Sequence, residues 1–147
     1  MKFYVGGCFD NYEDIRNIQD IIKLHGHEIS YDWTIRAEKT TMENTNNTRT
    51  PTILMEEAEL DINGVYLADW TVFLITKKDY VYRGTFCEVG ASIMRDILRN
   101  QKGHTIIISN DDEIYAKTLC FFYHPDIVHV KSIEEAMKII KQHLHLQ

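Results

Sequence analysis

Trp70-Thr71-Val72-Phe73-Leu74-Ile75-Thr76 is an unbroken run of apolar and β-branched residues. It has no polar face, so it reads as a strand buried on both sides, the position of a central strand in a parallel sheet. Outward from it, short β-branched or aromatic runs alternate with longer segments of helical period, the pattern of a parallel sheet covered by helices on both faces. Lys2 to Val5 reads as the first strand and Glu28 to Asp32 as the second, while Thr105 to Ser109 and Ile127 to Val130 complete a set of five. Between the first two, Asp10 and Glu13 have capping-box spacing ahead of Ile15, Ile18, Ile22 and His25, a helical stripe that Gly26 ends. Thr50-Pro51 marks another helix start, with Leu54, Ala58, Ile62 and Val65 at helical spacing. Asn63-Gly64 inside that segment is also a hairpin signal, and the helix is the preferred reading. Thr85 to Arg99 follows as a helix with Phe86, Val89, Ile93 and Ile97 on one face, and Asp111 to Leu119 as a short one. Ser132 with Glu135 caps a last helix that buries Ile133, Met137, Ile140 and Leu144. Thr34 to Thr50 is polar and without period, which marks a lid or a tolerated insertion. No repeat or boundary interrupts the pattern, so residues 1–147 are expected to form one domain, a five-stranded, mostly parallel, Rossmann-like α/β sheet.

Composition excludes several function classes. A formal charge of -6 argues against a polynucleotide partner, which requires clustered Lys and Arg. Cys8, Cys87 and Cys120 are an odd number without paired spacing, so neither a disulfide framework nor a four-ligand zinc site is expected. The start lacks the basic and apolar regions of a signal peptide, and no apolar stretch approaches the ~18 residues of a membrane span, which predicts a cytoplasmic protein with no membrane partner. The seven histidines are scattered, and the close pairs His25 with His27 and His143 with His145 read as surface residues rather than metal ligands. The sequon Asn46-Asn47-Thr48 carries little weight in such a protein.

Ligands of parallel α/β sheets bind at the carboxyl ends of the strands, where the connection order reverses. Two loops qualify: Gly6-Gly7-Cys8-Phe9 after the first strand, and Tyr82-Arg83-Gly84-Thr85-Phe86-Cys87-Glu88-Val89-Gly90 after the third. The second places a cation, a small residue and a carboxylate at a helix N-terminus, where free N–H groups favour anions. Thr85 and Glu88 also have capping-box spacing, so Glu88 reads either as a cap or as a functional carboxylate. Asp61 stands among Glu56, Glu57 and Glu59, and reads equally as part of a solvated acidic face or as a second carboxylate. Asp69, just before the central strand, reads first as a turn-closing residue.

Three motifs taken together alter this balance: Lys2-Phe3-Tyr4-Val5-Gly6-Gly7, Asp61-Ile62-Asn63-Gly64-Val65 ending in Ala68-Asp69, and Arg83-Gly84-Thr85-Phe86-Cys87-Glu88-Val89-Gly90-Ala91. Their order and separations resemble the nucleoside 2-deoxyribosyltransferase family, a superfamily that includes the 2'-deoxynucleoside 5'-monophosphate N-glycosidases. The resemblance extends from the first strand through the last helix. It implies that Glu88 is the nucleophile that captures the anomeric carbon, that Asp61 handles the leaving base and its proton, and that Tyr4 orients the nucleophile. It further implies that Gly6, Gly7 and Phe9 form the base-binding loop. On the monophosphate reading, Arg83 and the helix N-terminus at Gly84 and Thr85 hold the phosphate.

The implied substrate is a small nucleoside or nucleotide, cleaved at its N-glycosidic bond with transfer of the sugar to a base or to water, and no metal or organic cofactor is implied. Such a reaction passes through an oxocarbenium-like state that a fixed carboxylate can stabilise and then capture, while a second group protonates the base. A catalytically silent nucleotide-binding domain of the same fold is the reading from another class. Three departures stand out: Tyr82 where the transferases carry an acid, Cys120 where they carry an asparagine donated by a neighbouring subunit, and Cys8-Phe9-Asp10 where the glycosidases use Ser and Arg. Because family sites borrow groups from a neighbour, a homo-oligomer of two or more copies is expected, with Phe121, Phe122 and Tyr123 either as interface anchors or as ordinary core.

Overall fold

A computed structural model describes residues 1–45 and 48–145. Asn46 and Asn47 of the sequon lie outside the described residues. Five parallel strands form one sheet, β1 (Lys2–Gly7), β2 (Glu28–Ile29), β3 (Trp70–Leu74), β4 (Thr105–Ile108) and β5 (Ile127–Val130), in the order β2-β1-β3-β4-β5. β3 is central, and all five of its residues are buried, as its lack of a polar face requires. The helices are α1 (Tyr12–Leu24), α2 (Thr34–Met42), α3 (Pro51–Leu67), α4 (Arg83–Leu98) and α5 (Ile133–His145). α1 packs with α5, and α3 with α4. β2 lies to one side of β1 and every later strand to the other, so the connections reverse between β1 and β3, where Gly6 pairs with Phe73 and Gly7 with Leu74.

Local signals explain most boundaries. Gly26, with φ +80°, ends α1 in the left-handed conformation that glycine adopts without a Cβ clash. Thr50 caps α3, its hydroxyl accepting from the Ile53 amide at 3.4 Å, and Pro51 opens the helix. The Asn63-Gly64 pair stays inside α3. A Cβ on Gly64 would lie 2.7 Å from the Tyr31 Cβ and 2.9 Å from the Tyr4 Cδ2, so the glycine is there to let the helix close onto β1. At α5, the Ser132 hydroxyl accepts from the Glu135 amide at 3.4 Å, while the Glu135 carboxylate accepts from the Lys131 amide at 2.8 Å.

Elsewhere the structure departs from expectation. Thr34–Met42 is a helix, where the sequence shows no period. Its buried face is Thr34, Ala37 and Thr40, a stripe at the right spacing but of small residues that give no apolar signal. The Asp10–Glu13 capping box does not form, because Phe9–Asn11 is a 3-10 turn and α1 begins at Tyr12. Residues 111–119 are not one short helix but lead into two 3-10 turns, Tyr115–Thr118 and Cys120–Tyr123. Leu54, Ala58, Ile62, Ile97 and Leu144 are exposed rather than buried. His104 is buried, stacked on Trp70 with ring centroids 4.0 Å apart, and its Nε2 meets the His143 Nε2 at 3.1 Å.

A buried polar cluster fixes α4 to the sheet and to α3. The Arg95 guanidinium pairs with Asp96 at 2.5 Å and donates to the Val65 carbonyl at 3.1 Å, while Asp96 accepts from the Thr105 hydroxyl at 2.7 Å. Charges so deeply buried persist only when partnered in this way. Among the described residues, no helix is long and apolar enough to cross a membrane.

Candidate active site

At the reversal point a cavity of about 150 Å³ opens, walled by Gly7, Phe9, Trp33, Arg36, Asp61, Tyr80, Gly84, Thr85 and Glu88. It is not the largest. A cavity of about 550 Å³ lies by Phe122, Tyr123 and His129, but its acids are already engaged, Asp112 by Lys117 and Glu135 by the Lys131 amide. The smaller cavity joins two carboxylates of different elements, Asp61 of α3 and Glu88 of α4, at the reversal point where the topology places ligands.

Glu88 does not cap its helix. Tyr82 occupies the N-cap position, and Thr85, in the first turn, donates its hydroxyl to the Gly7 carbonyl at 3.0 Å, tying α4 to the first loop. Glu88, one turn further on, points at β1, where a Cβ on Gly6 would stand 2.7 Å from its Oε2 and 2.6 Å from the Phe73 Cδ1. Glycine at this position is what lets the carboxylate lie against the strand. A Cβ on Gly7 would meet the Ile15 Cδ1 at 2.8 Å, so that glycine serves the packing of α1. Tyr4 is fully buried and electrostatically coupled to Glu88, yet no well-formed hydrogen bond joins the two groups, and its hydroxyl has no other partner.

Asp61 faces the same cavity from α3 and is held by Arg36 of α2, whose Nη2 lies 3.1 Å from Oδ2 and 3.3 Å from Oδ1. Arg36 also donates to the Tyr31 hydroxyl at 3.2 Å and stands 3.5 Å from Glu57, which in turn pairs with Arg49 at 2.6 Å. Arg49, Glu57, Arg36 and Asp61 therefore form a chain of alternating charge that ends at the cavity. Its aromatic wall is Phe9 and Trp33, with ring centroids 6.3 Å apart and planes 23° from parallel. The Trp33 Nε1 donates to the Val5 carbonyl at 2.7 Å, which locks the indole in place.

The electrostatics separate the two acids. Burial, reinforced by the negative charge of Asp61, pushes Glu88 up to about 8, against the opposing effects of Tyr4 and Arg36. Burial also raises Asp61, but the charge and hydrogen bonds of Arg36 oppose the rise. Tyr4 is raised well above its ordinary value, first by burial and then by Glu88 and Asp61. At neutral pH the protonated form of Glu88 is thus favoured, while Arg36 favours the ionised form of Asp61. Among the described residues, no group of three or more His, Cys, Asp or Glu is arranged to hold a metal ion.

No family model matches this sequence, and no curated protein is similar to it. Solved structures are. The chain superposes on the 2-deoxyribosyltransferase of Bacillus psychrosaccharolyticus with a TM-score of 0.61 at 16% identity, covering 92% of this chain and 90% of that one. It has the nucleoside deoxyribosyltransferase fold. A second protein of this fold, the CMP N-glycosidase BcmB of Clostridium botulinum, matches with a TM-score of 0.52 at 14% identity, over 97% of this chain and 99% of that one.

Within the deoxyribosyltransferase fold, the expected site residues separate into two groups. Gly7, Phe9, Asp61, Gly84, Thr85 and Glu88 line the cavity, with Tyr4 and Gly6 directly behind Glu88. Arg83 is exposed, is not part of the wall, and makes no ion pair among the described residues. Tyr82, with φ +53°, is buried, and its hydroxyl accepts from the amides of Thr76 at 3.0 Å and Lys77 at 2.7 Å. It shapes the loop, and Tyr80 takes the place at the wall. Cys120 is exposed on its 3-10 turn and Asp69 accepts from the Lys2 amide at the opposite end of the sheet, both away from the cavity. Trp33, Arg36 and Tyr80 were not signalled as site residues. The available clue was Asp32-x-Thr34, since Asp32, just ahead of α2, accepts from the Thr34 amide at 3.1 Å where the helix begins.

Proposed function

We propose that the chain cleaves the N-glycosidic bond of deoxyribonucleosides and passes the sugar to a second base or to water. The observation that carries this reading is the pair of carboxylates on one cavity, with Glu88 destabilised as an anion and Asp61 held by Arg36. The aromatic wall of Phe9 and Trp33 suits a planar base.

In the first half-reaction the bond from C1' to the base nitrogen breaks and its electron pair leaves with the base. Asp61 mediates delivery of the proton held by the carboxyl pair to the base, and Glu88, now ionised, bonds to C1' through one oxygen. Tyr4 orients that carboxylate. In the second half-reaction a base or water attacks C1', the ester to Glu88 breaks, and the incoming nucleophile's proton returns to the pair. The protein is read as cytoplasmic and as acting in an assembly of two or more copies.

The test is incubation with a panel of nucleosides and their 5'-monophosphates, reading free base by chromatography. Base release from deoxyribonucleosides is expected, with a folded Glu88→Ala protein losing at least about 1,000-fold in kcat. Near-normal activity of that variant would end the nucleophile assignment. Selective turnover of monophosphates would move the substrate to nucleotides, and binding without turnover would leave a silent domain.

A further inference from the structure

The wall of the small cavity carries a fixed hydrogen-bond donor directly beside Asp61. Trp33 also donates, but its N–H is taken by the Val5 carbonyl. Arg36 is different, because a guanidinium has several N–H groups, no acceptor and no accessible neutral form. Its Nη2 meets both oxygens of Asp61 at 3.1 and 3.3 Å, its Nη1 donates to the Tyr31 hydroxyl at 3.2 Å, and its Nε stands 3.5 Å from Glu57. These contacts hold the plane of the group from two sides. They still leave Nη1 a second N–H for which the described residues offer no hydrogen bond.

We infer that Arg36 selects the base: it admits guanine, hypoxanthine and cytosine, which carry an acceptor next to the atom protonated on departure, and it rejects adenine, thymine and uracil. The inference rests on the cleavage proposed above. When the bond from C1' to the base breaks, its electron pair stays on the base, and the proton delivered through Asp61 goes to N7 of a purine or O2 of a pyrimidine, so that a neutral base leaves. The neighbouring group in the plane of the ring then faces Arg36. Beside N7 that group is the O6 acceptor in guanine and hypoxanthine, but the N6 amino donor in adenine. Beside O2 it is the bare N3 acceptor in cytosine, but an N3–H donor in thymine and uracil. A donor set against the guanidinium leaves two N–H groups unpaired where the base has displaced water, the mismatch by which polar sites discriminate most strongly. The guanidinium has no way to adapt, since it neither deprotonates nor turns an acceptor toward the base. Tilting of the base is resisted as well, because the Phe9 and Trp33 rings lie near parallel and Trp33 is locked to β1.

The test compares kcat/KM for base release from deoxyguanosine, deoxyinosine, deoxycytidine, deoxyadenosine and thymidine. The first three are expected to exceed the last two by about 10- to 100-fold in the wild-type protein. Arg36→Gln keeps a donor for Asp61 and offers a carbonyl that can turn toward a base donor, so the ratio should shrink to within about threefold. Arg36→Met removes every donor and should flatten the ratio too, while lowering all five rates through the loss of the contact to Asp61. A role confined to holding Asp61 predicts instead that both variants slow all five substrates by one factor and keep the order, and that result overturns the inference. If Arg36→Met loses its far-ultraviolet circular dichroism signal, Arg36→Gln and the wild-type ratio decide. Turnover without discrimination, or a preference for deoxyadenosine and thymidine, overturns the assignment of Arg36 and leaves the cleavage reading standing. No base release from any of the five removes both.

Discussion

Glu88→Gln should stabilise the protein, and more so as pH rises. The ordinary glutamate value of 4.5 is pushed to about 8 in the folded state, chiefly by burial and then by Asp61. The folded protein therefore binds this proton more tightly than the unfolded chain does. Stability from this group is fully present below 4.5, declines as pH rises towards 8, and is constant above that. The distance from 4.5 to about 8 corresponds to a ceiling of about 5 kcal/mol. Relaxation and water entry reduce it, so a gain on the order of 2–5 kcal/mol is expected above pH 8, against about 1 kcal/mol near pH 5. For a chain of 147 residues each kcal/mol moves Tm by about 3 °C, so the gap should open to about 6–15 °C. Thermal unfolding of both proteins, followed by circular dichroism across this range, measures it, and other titrating groups largely cancel in the difference. A gap that stays constant with pH would refute the claim that the carboxylate is held at the expense of stability.

The same shift sets the activity profile. Because the proton that Asp61 delivers to the base is the one the pair holds on Glu88, kcat/KM should fall as pH rises through about 8, whereas a rising limb there would mean that Glu88 must already be ionised and that the base takes its proton from elsewhere. Gly6→Ala places a methyl group 2.7 Å from the Glu88 Oε2 and 2.6 Å from the Phe73 ring, so a loss of about 1–3 kcal/mol in denaturant unfolding and at least about tenfold in kcat is expected. Arg36→Met removes the groups that hold Asp61 down, so Asp61 should titrate at higher pH in a carboxyl-resolved NMR titration, with a stability loss of about 1–2 kcal/mol because both side chains keep roughly a fifth of their surface exposed. An unchanged Asp61 titration would remove Arg36 from this role.

The sheet was legible because Trp70 to Leu74 has no polar face and Thr50-Pro51, Gly26 and Ser132 are strong local punctuation. Glu88 and Asp61 were legible only through motif order, since capping and acidic-face readings fitted their spacing equally well. α2 was not legible, because Thr34, Ala37 and Thr40 pack through small size rather than apolar bulk. Arg36, Trp33 and Tyr80 were missed with it, as their place on the wall depends on where α2 and the 75–82 loop settle in space. The orientation of α3 was also hidden: Leu54, Ala58 and Ile62 have the spacing of a buried stripe and face outward, while Glu57 and Gly64 face in.

The two tryptophans sit at opposite ends of the sheet, and each is wired to a different event. Trp33 is fixed to the Val5 carbonyl and forms part of the cavity wall, so its emission should respond when a base displaces water beside Phe9. Trp70 lies 4.0 Å from His104, which is itself bonded to His143 of α5, and a protonated imidazole in contact with an indole quenches it. Trp33→Phe and Trp70→Phe proteins would thus be two optical instruments made from one fold, the first blind to ligand but sensitive to the seating of α5, the second the reverse.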